Sequence, residues 1–140
     1  MTKGRIVQVM GPVVDVEFNR REELPFIKDA LEVYNGGKRC VMEVAQHVGN
    51  NIARCIMLAS SEGLQKGMEV TATGAGIKVP VGEKTLGRLF NVLGETIYNG
   101  EQITDSEKWV IHRKAPSFEE QSPAVEVLET GIKVIDLLAP

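Results

Sequence analysis

The sequence has 140 residues and a formal net charge of −3, a length that fits one domain or a small domain with part of another. Hydrophobic residues make up 43% of the chain and charged residues 25%, which is typical of a soluble globular protein and not of a disordered one. The acidic balance and the 5% aromatic content disfavour a surface that binds nucleic acid through a basic stripe or base stacking.

Neither a membrane span nor a targeting segment is predicted in these residues. No run approaches the roughly 20 consecutive apolar residues that cross a bilayer. The first residues, MTKGRIVQVMGP, lack the apolar core of a signal peptide and are typical of a strand from about Lys3. We therefore expect a cytosolic chain or the soluble part of a larger assembly.

Alternation of apolar and polar residues predicts roughly six short strands in about the first 75 residues. In VVDVEF, Val14, Val16 and Phe18 share one face. The same alternation predicts an inward-facing set in each of four further strands. These sets are Leu31 and Val33; Met42, Val44 and Val48; Ile52, Ile56 and Leu58; and Met68, Val70 and Ala72. Gly49, Asn50 and Asn51 suit a tight hairpin, because glycine and asparagine tolerate a positive φ. Closing these strands into a barrel would hide the edges that an open sheet exposes.

The second half of the chain has a different pattern. In TLGRLFNVLG, the spacing of Leu86, Leu89, Phe90 and Leu93 predicts a short amphipathic helix, with Thr85 as its N-cap and Gly94 after its end. The run IKVPV predicts a strand before it, and KWVIHR predicts another after an irregular polar segment.

The last predicted element is a helix in LETGIKVIDLLAP. Leu128, Ile132, Ile135 and Leu138 fall on one helical face, with Thr130 as a cap and Pro140 as a stop. Residues 76–140 hold too few elements to enclose a core of their own. We therefore expect an all-β barrel of about six antiparallel strands in residues 1–75, followed in residues 76–140 by the incomplete opening of an α/β domain.

One stretch, Gly76 to Thr85, superficially resembles a phosphate-binding P-loop. Its spacing departs from G-x-x-x-x-G-K-[ST], because Glu83 separates Gly82 from Lys84. The carboxylate would repel phosphate, and Pro80 removes one backbone N–H from a loop that must supply them. We therefore interpret this stretch as a strand that turns into the helix predicted after it.

The other candidate residues carry weaker signals. Cys40 and Cys55 are interpreted as reduced core residues, with a disulfide or a metal site as alternatives. His47 and His112 have no partner at metal-ligand spacing, and His47 is expected to face solvent. The remaining candidates are interpreted as solvated or packing groups: the carboxylates in Arg21-Glu22-Glu23 and Glu119-Glu120, the guanidinium of Arg88, which has an interface salt bridge as its alternative, and the indole of Trp109.

Four segments taken in order resemble the beta subunit of F-type ATP synthases over nearly all of residues 3–140. They are GRIVQVMGPVVDVEF, ALEV, EGLQKGMEVTATGAGIKVPVGEKTLGRLFNVLGE and HRKAPSFEEQSPAVEVLETGIKVIDLLAP. HRKAPSFEEQS and LETGIKVIDLLAP resemble the beta rather than the noncatalytic alpha subunit. After NVLGE the family has Pro-Ile-Asp and then Gly, whereas this chain has Thr96-Ile97-Tyr98-Asn99-Gly100, so the local loop geometry is expected to differ.

The resemblance implies a subunit with an N-terminal barrel, a central nucleotide-binding domain and a C-terminal helical bundle. Alpha and beta subunits alternate in a hexamer around a central shaft, and the barrels form a ring that holds the hexamer together. The whole subunit would use Mg-ATP and Mg-ADP, making ATP from ADP and phosphate with energy from ion flow. It would work peripherally at the cytoplasmic face of a bacterial plasma membrane.

The catalytic and nucleotide-binding positions of the family have no match in these residues. We therefore assign no catalytic, nucleotide-binding or metal-ligating residue and no cofactor to residues 1–140, and we expect them alone to be inactive. Two alternatives stay open: a free-standing β-barrel interaction module, and a fragment of another rotary ATPase subunit.

Overall fold

Residues 3–76 form a closed antiparallel barrel, as the sequence predicts. The computed structural model describes residues 2–98, 100–122 and 127–138. The barrel strands are β1 (Lys3–Met10), β2 (Val13–Phe18), β3 (Asp29–Asn35), β4 (Lys38–Gly49), β5 (Ile52–Met57) and β6 (Glu69–Gly76). They close in the order β1-β2-β5-β4-β3-β6. Closure pairs both edges of each strand, so the barrel offers no open edge for pairing with another chain.

The barrel interior is filled by the alternating apolar residues of its strands. Val14, Val16 and Phe18 of β2 are fully buried, as are Leu31 and Val33 of β3. Met42, Val44, Val70 and Ala72 also lie in this core, and Met68 packs against it. For these residues the predicted faces are confirmed.

Two predicted faces are wrong. In β5 the buried residues are Ala53, Cys55 and Met57, whereas Ile56 is 47% exposed. Both faces of this strand carry apolar side chains. The register with β2 pairs Cys55 with the buried Val14, so the face with Ala53, Cys55 and Met57 points into the barrel. Leu58 follows the strand and packs against a separate cluster outside the barrel.

The second error concerns Val48, which is exposed. The pairing of β4 with β5 shifts register between Val44 and Gln46 and again between His47 and Gly49. The first shift reverses the alternation, and the second leaves Val48 itself as the extra residue without a partner on β5. The predicted hairpin after β4 is confirmed, because Gly49, Asn50 and Asn51 have φ of 101°, 49° and 60°.

Beyond the barrel the elements are short. Strands β7 (Lys78–Pro80) and β10 (Lys108–Val110) pair with each other, and β8 (Leu89–Phe90) pairs with β9 (Thr96–Tyr98). Three-residue 3₁₀ helices occur at Arg21–Glu23, Glu83–Thr85 and Phe118–Glu120. The strands predicted in IKVPV and KWVIHR are therefore confirmed as β7 and β10.

The helix predicted from Thr85 to Gly94 is wrong. Gly87 has a φ of 69°, which an α-helix does not allow. The side-chain oxygen of Asn91 accepts hydrogen bonds from the backbone N–H groups of Leu93 and Glu95, at 3.0 and 2.9 Å. This local bonding replaces the helical pattern with a turn, so the apolar spacing does not produce a helix here.

The terminal helix exists but is shorter than predicted. Helix α1 spans Lys133–Leu138, so Leu128 lies outside it. Thr130 is not the N-cap that was predicted, because the Ile132 carbonyl accepts the first helical bond, from the N–H of Asp136 at 3.0 Å. The Thr130 hydroxyl instead accepts from the backbone N–H of Ile132 at 3.1 Å, in the turn before the helix. Pro140 and Asn99, the latter in the loop that departs from the family pattern, lie outside the described residues.

Candidate interaction site

The loop that resembles a P-loop is already occupied by internal bonds. The Lys84 ammonium donates to the backbone oxygen of Asp105 at 2.7 Å and to its carboxylate at 3.1 Å. The backbone N–H of Val81 donates to the carbonyl of Glu107, and that of Thr85 donates to the carbonyl of Gly82. The cation and these backbone donors are therefore bonded within the chain.

An ion pair lies on the outer surface of the barrel between β2 and β5. Arg54 donates to both carboxylate oxygens of Asp15 at 2.8 Å, and the register places these residues directly opposite each other. The hydrogen bonds from Arg54 lower the pKa of Asp15 despite its burial, and the same bonds raise the pKa of Arg54. A planar two-bond contact of this kind fixes both side chains, so the pair stiffens the wall.

Two further contacts join the barrel to the chain that follows it. Arg39 of β4 donates to Glu32 of β3 at 2.7 Å and to Glu95 at 3.3 Å. The bond to Glu32, with the field of Glu95, raises the pKa of Arg39. His112 lies 2.7 Å from the carboxylate of Glu43. Neither contact was expected, since the partners lie 56 and 69 residues apart.

Apolar side chains complete this junction. Ala30 and Val41 on the outside of the barrel contact Ile77, with Leu58 and Leu93 packed around them. A cleft of about 610 Å³ lies beside the cluster. Its polar wall includes Arg39 and Glu95, which bond to each other, and Gln102, which bonds to the backbone of Thr96. These groups already have partners, so they do not indicate a ligand.

The remaining candidates have structural roles or none. Cys40 and Cys55 are free and buried, as interpreted, and burial raises the pKa of the Cys55 thiol to about 12. His47 is exposed as predicted, and its ring Nε2 donates to the carbonyl of Pro25 at 2.8 Å. Arg88 does not project from a helix, and its guanidinium donates to the Glu101 carbonyl at 2.6 Å.

Trp109 does not pack into a core. Its side chain is partly exposed, its indole N–H donates to Glu107 at 2.6 Å, and the Arg113 guanidinium lies 3.7 Å from its ring centroid.

The carboxylate of Glu120 accepts hydrogen bonds from the backbone N–H and the hydroxyl of Ser117, and these bonds lower the pKa of Glu120. Within the described part of the chain, no group of three or more potential ligands could hold a metal ion.

The β2–β3 loop, residues 19–28, presents the most exposed large apolar side chain of the barrel region. Phe26 is 81% exposed and Ile27 is 53% exposed, whereas the preceding Pro25 is buried. Sequence reasoning missed this site, although LPFI is an apolar run that belongs to none of the predicted strands.

None of the helices in the described ranges is long and apolar enough to cross a membrane. Residues 6–74 match a family model described as the beta-barrel domain of the ATP synthase alpha/beta family. The matched range covers the barrel from within β1 to within β6, and the closed six-stranded topology agrees with that description. Residues 6–74 are therefore similar to the beta-barrel domain of the ATP synthase alpha/beta family in sequence, and their closed barrel agrees with it in fold.

Proposed function

We propose that these residues are the N-terminal part of the catalytic beta subunit of an F-type ATP synthase, in which the barrel serves hexamer assembly. The observation that carries the proposal is the family match of residues 6–74. The choice of beta over alpha is supported by the segments HRKAPSFEEQS and LETGIKVIDLLAP. A closed barrel supports an assembly role, because it can meet neighbours through its side chains while its strand edges stay paired.

In this proposal the two parts of the sequence belong to different domains with different roles. Residues 1–75 are the barrel, and residues 76–140 begin the nucleotide-binding domain. The full-length subunit uses Mg-ATP and Mg-ADP and makes ATP with energy from an ion gradient, whereas residues 1–140 alone are inactive. The bonds of Lys84 to Asp105 support this division, because they tie the loop's cation to the protein.

The partners proposed for the barrel are alpha subunits on either side, and the full-length subunit also contacts the central shaft. The complex would lie peripherally at the cytoplasmic face of a bacterial plasma membrane. The barrel supports this assembly role, because its outer surface carries a fixed ion pair, Asp15 with Arg54, and exposed apolar side chains such as Phe26.

The alternating ring supplies a direct test. The chain is mixed separately with an isolated alpha subunit and an isolated beta subunit of a bacterial F-type ATP synthase, and complex formation is followed by sedimentation velocity. A beta-type barrel should bind alpha and leave beta free. Binding to beta alone would identify an alpha-type barrel, and binding to neither would favour the free-standing interaction module.

Calorimetric titration with Mg-ATP tests the second half of the proposal. We expect no saturable heat from residues 1–140, and the Lys84→Ala variant should give the same trace, because Lys84 is not a phosphate ligand in this proposal. The intact bacterial beta subunit serves as the positive control. Saturable binding at micromolar ATP that is lost in Lys84→Ala would contradict it.

A further inference from the structure

The β5–β6 loop, residues 58–68, supplies part of the barrel core. Its Leu64 is buried and belongs to the core cluster. The backbone N–H of Gly67 donates to the carbonyl of Ile6 on β1 at 2.7 Å, which ties the end of the loop to the barrel wall. The position of Leu64 therefore depends on how the rest of the loop is held.

A single side chain holds the middle of this loop. Asn35, the last residue of β3, donates from its side-chain amide to the carbonyl of Glu62 at 2.7 Å. The bond joins the β3–β4 turn to the β5–β6 loop, and we call it the clamp. Gly63 lies against the same amide, because a Cβ added to Gly63 would come 2.7 Å from the Asn35 nitrogen.

The residue that makes the clamp is followed by glycine. The register pairs Asn35 with Lys38, so Gly36 and Gly37 form the turn between β3 and β4, with φ of 56° and 85°. Asparagine is among the thermolabile residues, and it is most labile before glycine, because no Cβ shields the next backbone nitrogen. The space around Gly36 is open, since nothing lies within 4 Å of the position of an added Cβ.

We propose that Asn35 is a site of spontaneous deamidation and that this reaction opens the clamp irreversibly. The backbone nitrogen of Gly36 attacks the side-chain carbonyl carbon of Asn35, and the new C–N bond closes a succinimide ring. The bond from that carbon to the amide nitrogen breaks, and ammonia leaves with the proton that the Gly36 nitrogen gives up. Water then opens the ring to aspartate or isoaspartate, so the net reaction is hydrolysis of an amide to a carboxylic acid and ammonia.

The products cannot form the clamp again. An ionised carboxylate has no proton to donate, and the carbonyl oxygen of Glu62 only accepts. Isoaspartate also lengthens the backbone by a methylene group where Asn35 pairs with Lys38. The closed clamp in turn protects Asn35, because the side chain must leave Glu62 and rotate before its carbonyl carbon meets the Gly36 nitrogen.

Peptide mapping by mass spectrometry, on residues 1–140 kept in mildly alkaline buffer, tests the site. Gly63→Ala should speed deamidation of Asn35 about fivefold, the loss of one ordinary hydrogen bond, because the added methyl group displaces the amide. Gly67→Ala is the matched control. Gly67 lies in the same loop and also has a positive φ, but an added Cβ there has nothing within 4 Å, so the rate at Asn35 should not change.

A second experiment tests the effect of the product. Asn35→Asp reproduces the aspartate form, and hydrogen exchange in residues 58–68 should quicken about fivefold, because the clamp is missing. Asn19→Asp adds the same charge at an exposed position of the β2–β3 loop. It should leave exchange in residues 58–68 at the rate of the unchanged chain.

Each part of the proposal has an outcome that overturns it. Absence of deamidation at Asn35 in the unchanged chain and both glycine variants, while the separately mapped Asn99-Gly100 pair reacts or not, excludes the site. Equal rates in Gly63→Ala and Gly67→Ala exclude protection by the clamp. Equal exchange in Asn35→Asp and Asn19→Asp excludes an effect on the loop. All three measurements use residues 1–140 alone, so they do not depend on the proposed function.

Discussion

The barrel and the chain after it differ in how they are stabilised. Barrel strands have six to twelve residues, whereas β7 to β10 have two or three. Among the described residues, Ile77 is the only buried apolar side chain beyond β6. The barrel thus supplies its own core, while residues 77–112 depend on contacts to its outer surface. Three experiments test how each region is stabilised.

The largest expected effect comes from the barrel core. Phe18 is among the largest fully buried side chains, and Phe18→Ala should lower the free energy of unfolding by about 3–5 kcal/mol. Phe118→Ala is the matched control, because Phe118 is 89% exposed. That substitution should change stability by no more than about 0.5 kcal/mol. Urea unfolding followed by circular dichroism measures both, and equal losses would contradict a barrel-centred core.

A smaller effect is expected at the junction. Ile77→Ala removes the centre of the cluster with Ala30 and Val41, at a cost of about 2 kcal/mol, the low end for such changes because the cluster is small. Hydrogen exchange should quicken in β7 to β10 and stay slow in the barrel. Ile97→Ala, at an exposed position, should leave exchange unchanged. Equal acceleration throughout would show that both regions unfold as one unit.

The smallest effect concerns the pH dependence of the barrel wall. Because Arg54 lowers the folded pKa of Asp15, the pair adds stability above the usual aspartate range, and this stability is lost as the pH falls through the lowered value. The free energy of unfolding, measured by urea between pH 2 and 7, should therefore vary less with pH in Asp15→Asn and in Arg54→Met. Unchanged acid sensitivity in both variants would exclude this pair as its source.

The sequence predicts the barrel better than the rest because alternation is reliable where one face is apolar. Val14, Val16 and Phe18 leave no doubt about their face, since Asp15 and Glu17 lie between them. In β5, Ile52 and Ile56 lie on one face of the strand and Ala53, Cys55 and Met57 on the other. Because both faces are apolar, only the register with the neighbouring strands decides which face is buried. The predicted face of β4 is correct up to Val44, and Val48 is exposed because it is the unpaired residue of the second bulge.

Outside the barrel, local exceptions outweigh periodicity. The spacing of Leu86, Leu89 and Leu93 is helical, but Gly87 has a positive φ, and the side-chain oxygen of Asn91 accepts a bond from the backbone N–H of Leu93. The contacts of the candidate site are even less predictable from the sequence. The bonds from Arg39 to Glu95 and from His112 to Glu43 join residues far apart in sequence, and the exposure of Phe26 depends on a loop fixed by β4. No local pattern contains this information.

The burial of both cysteines has a practical consequence for measuring the barrel. Thiol reagents react with the thiolate, and with a pKa of about 12 the Cys55 sulfur has almost none at neutral pH. Its side chain is also enclosed by the barrel core, together with Cys40. Labelling therefore requires the barrel to open. The rate at which a thiol reagent modifies the unaltered chain would report how often that opening occurs, with no engineered probe.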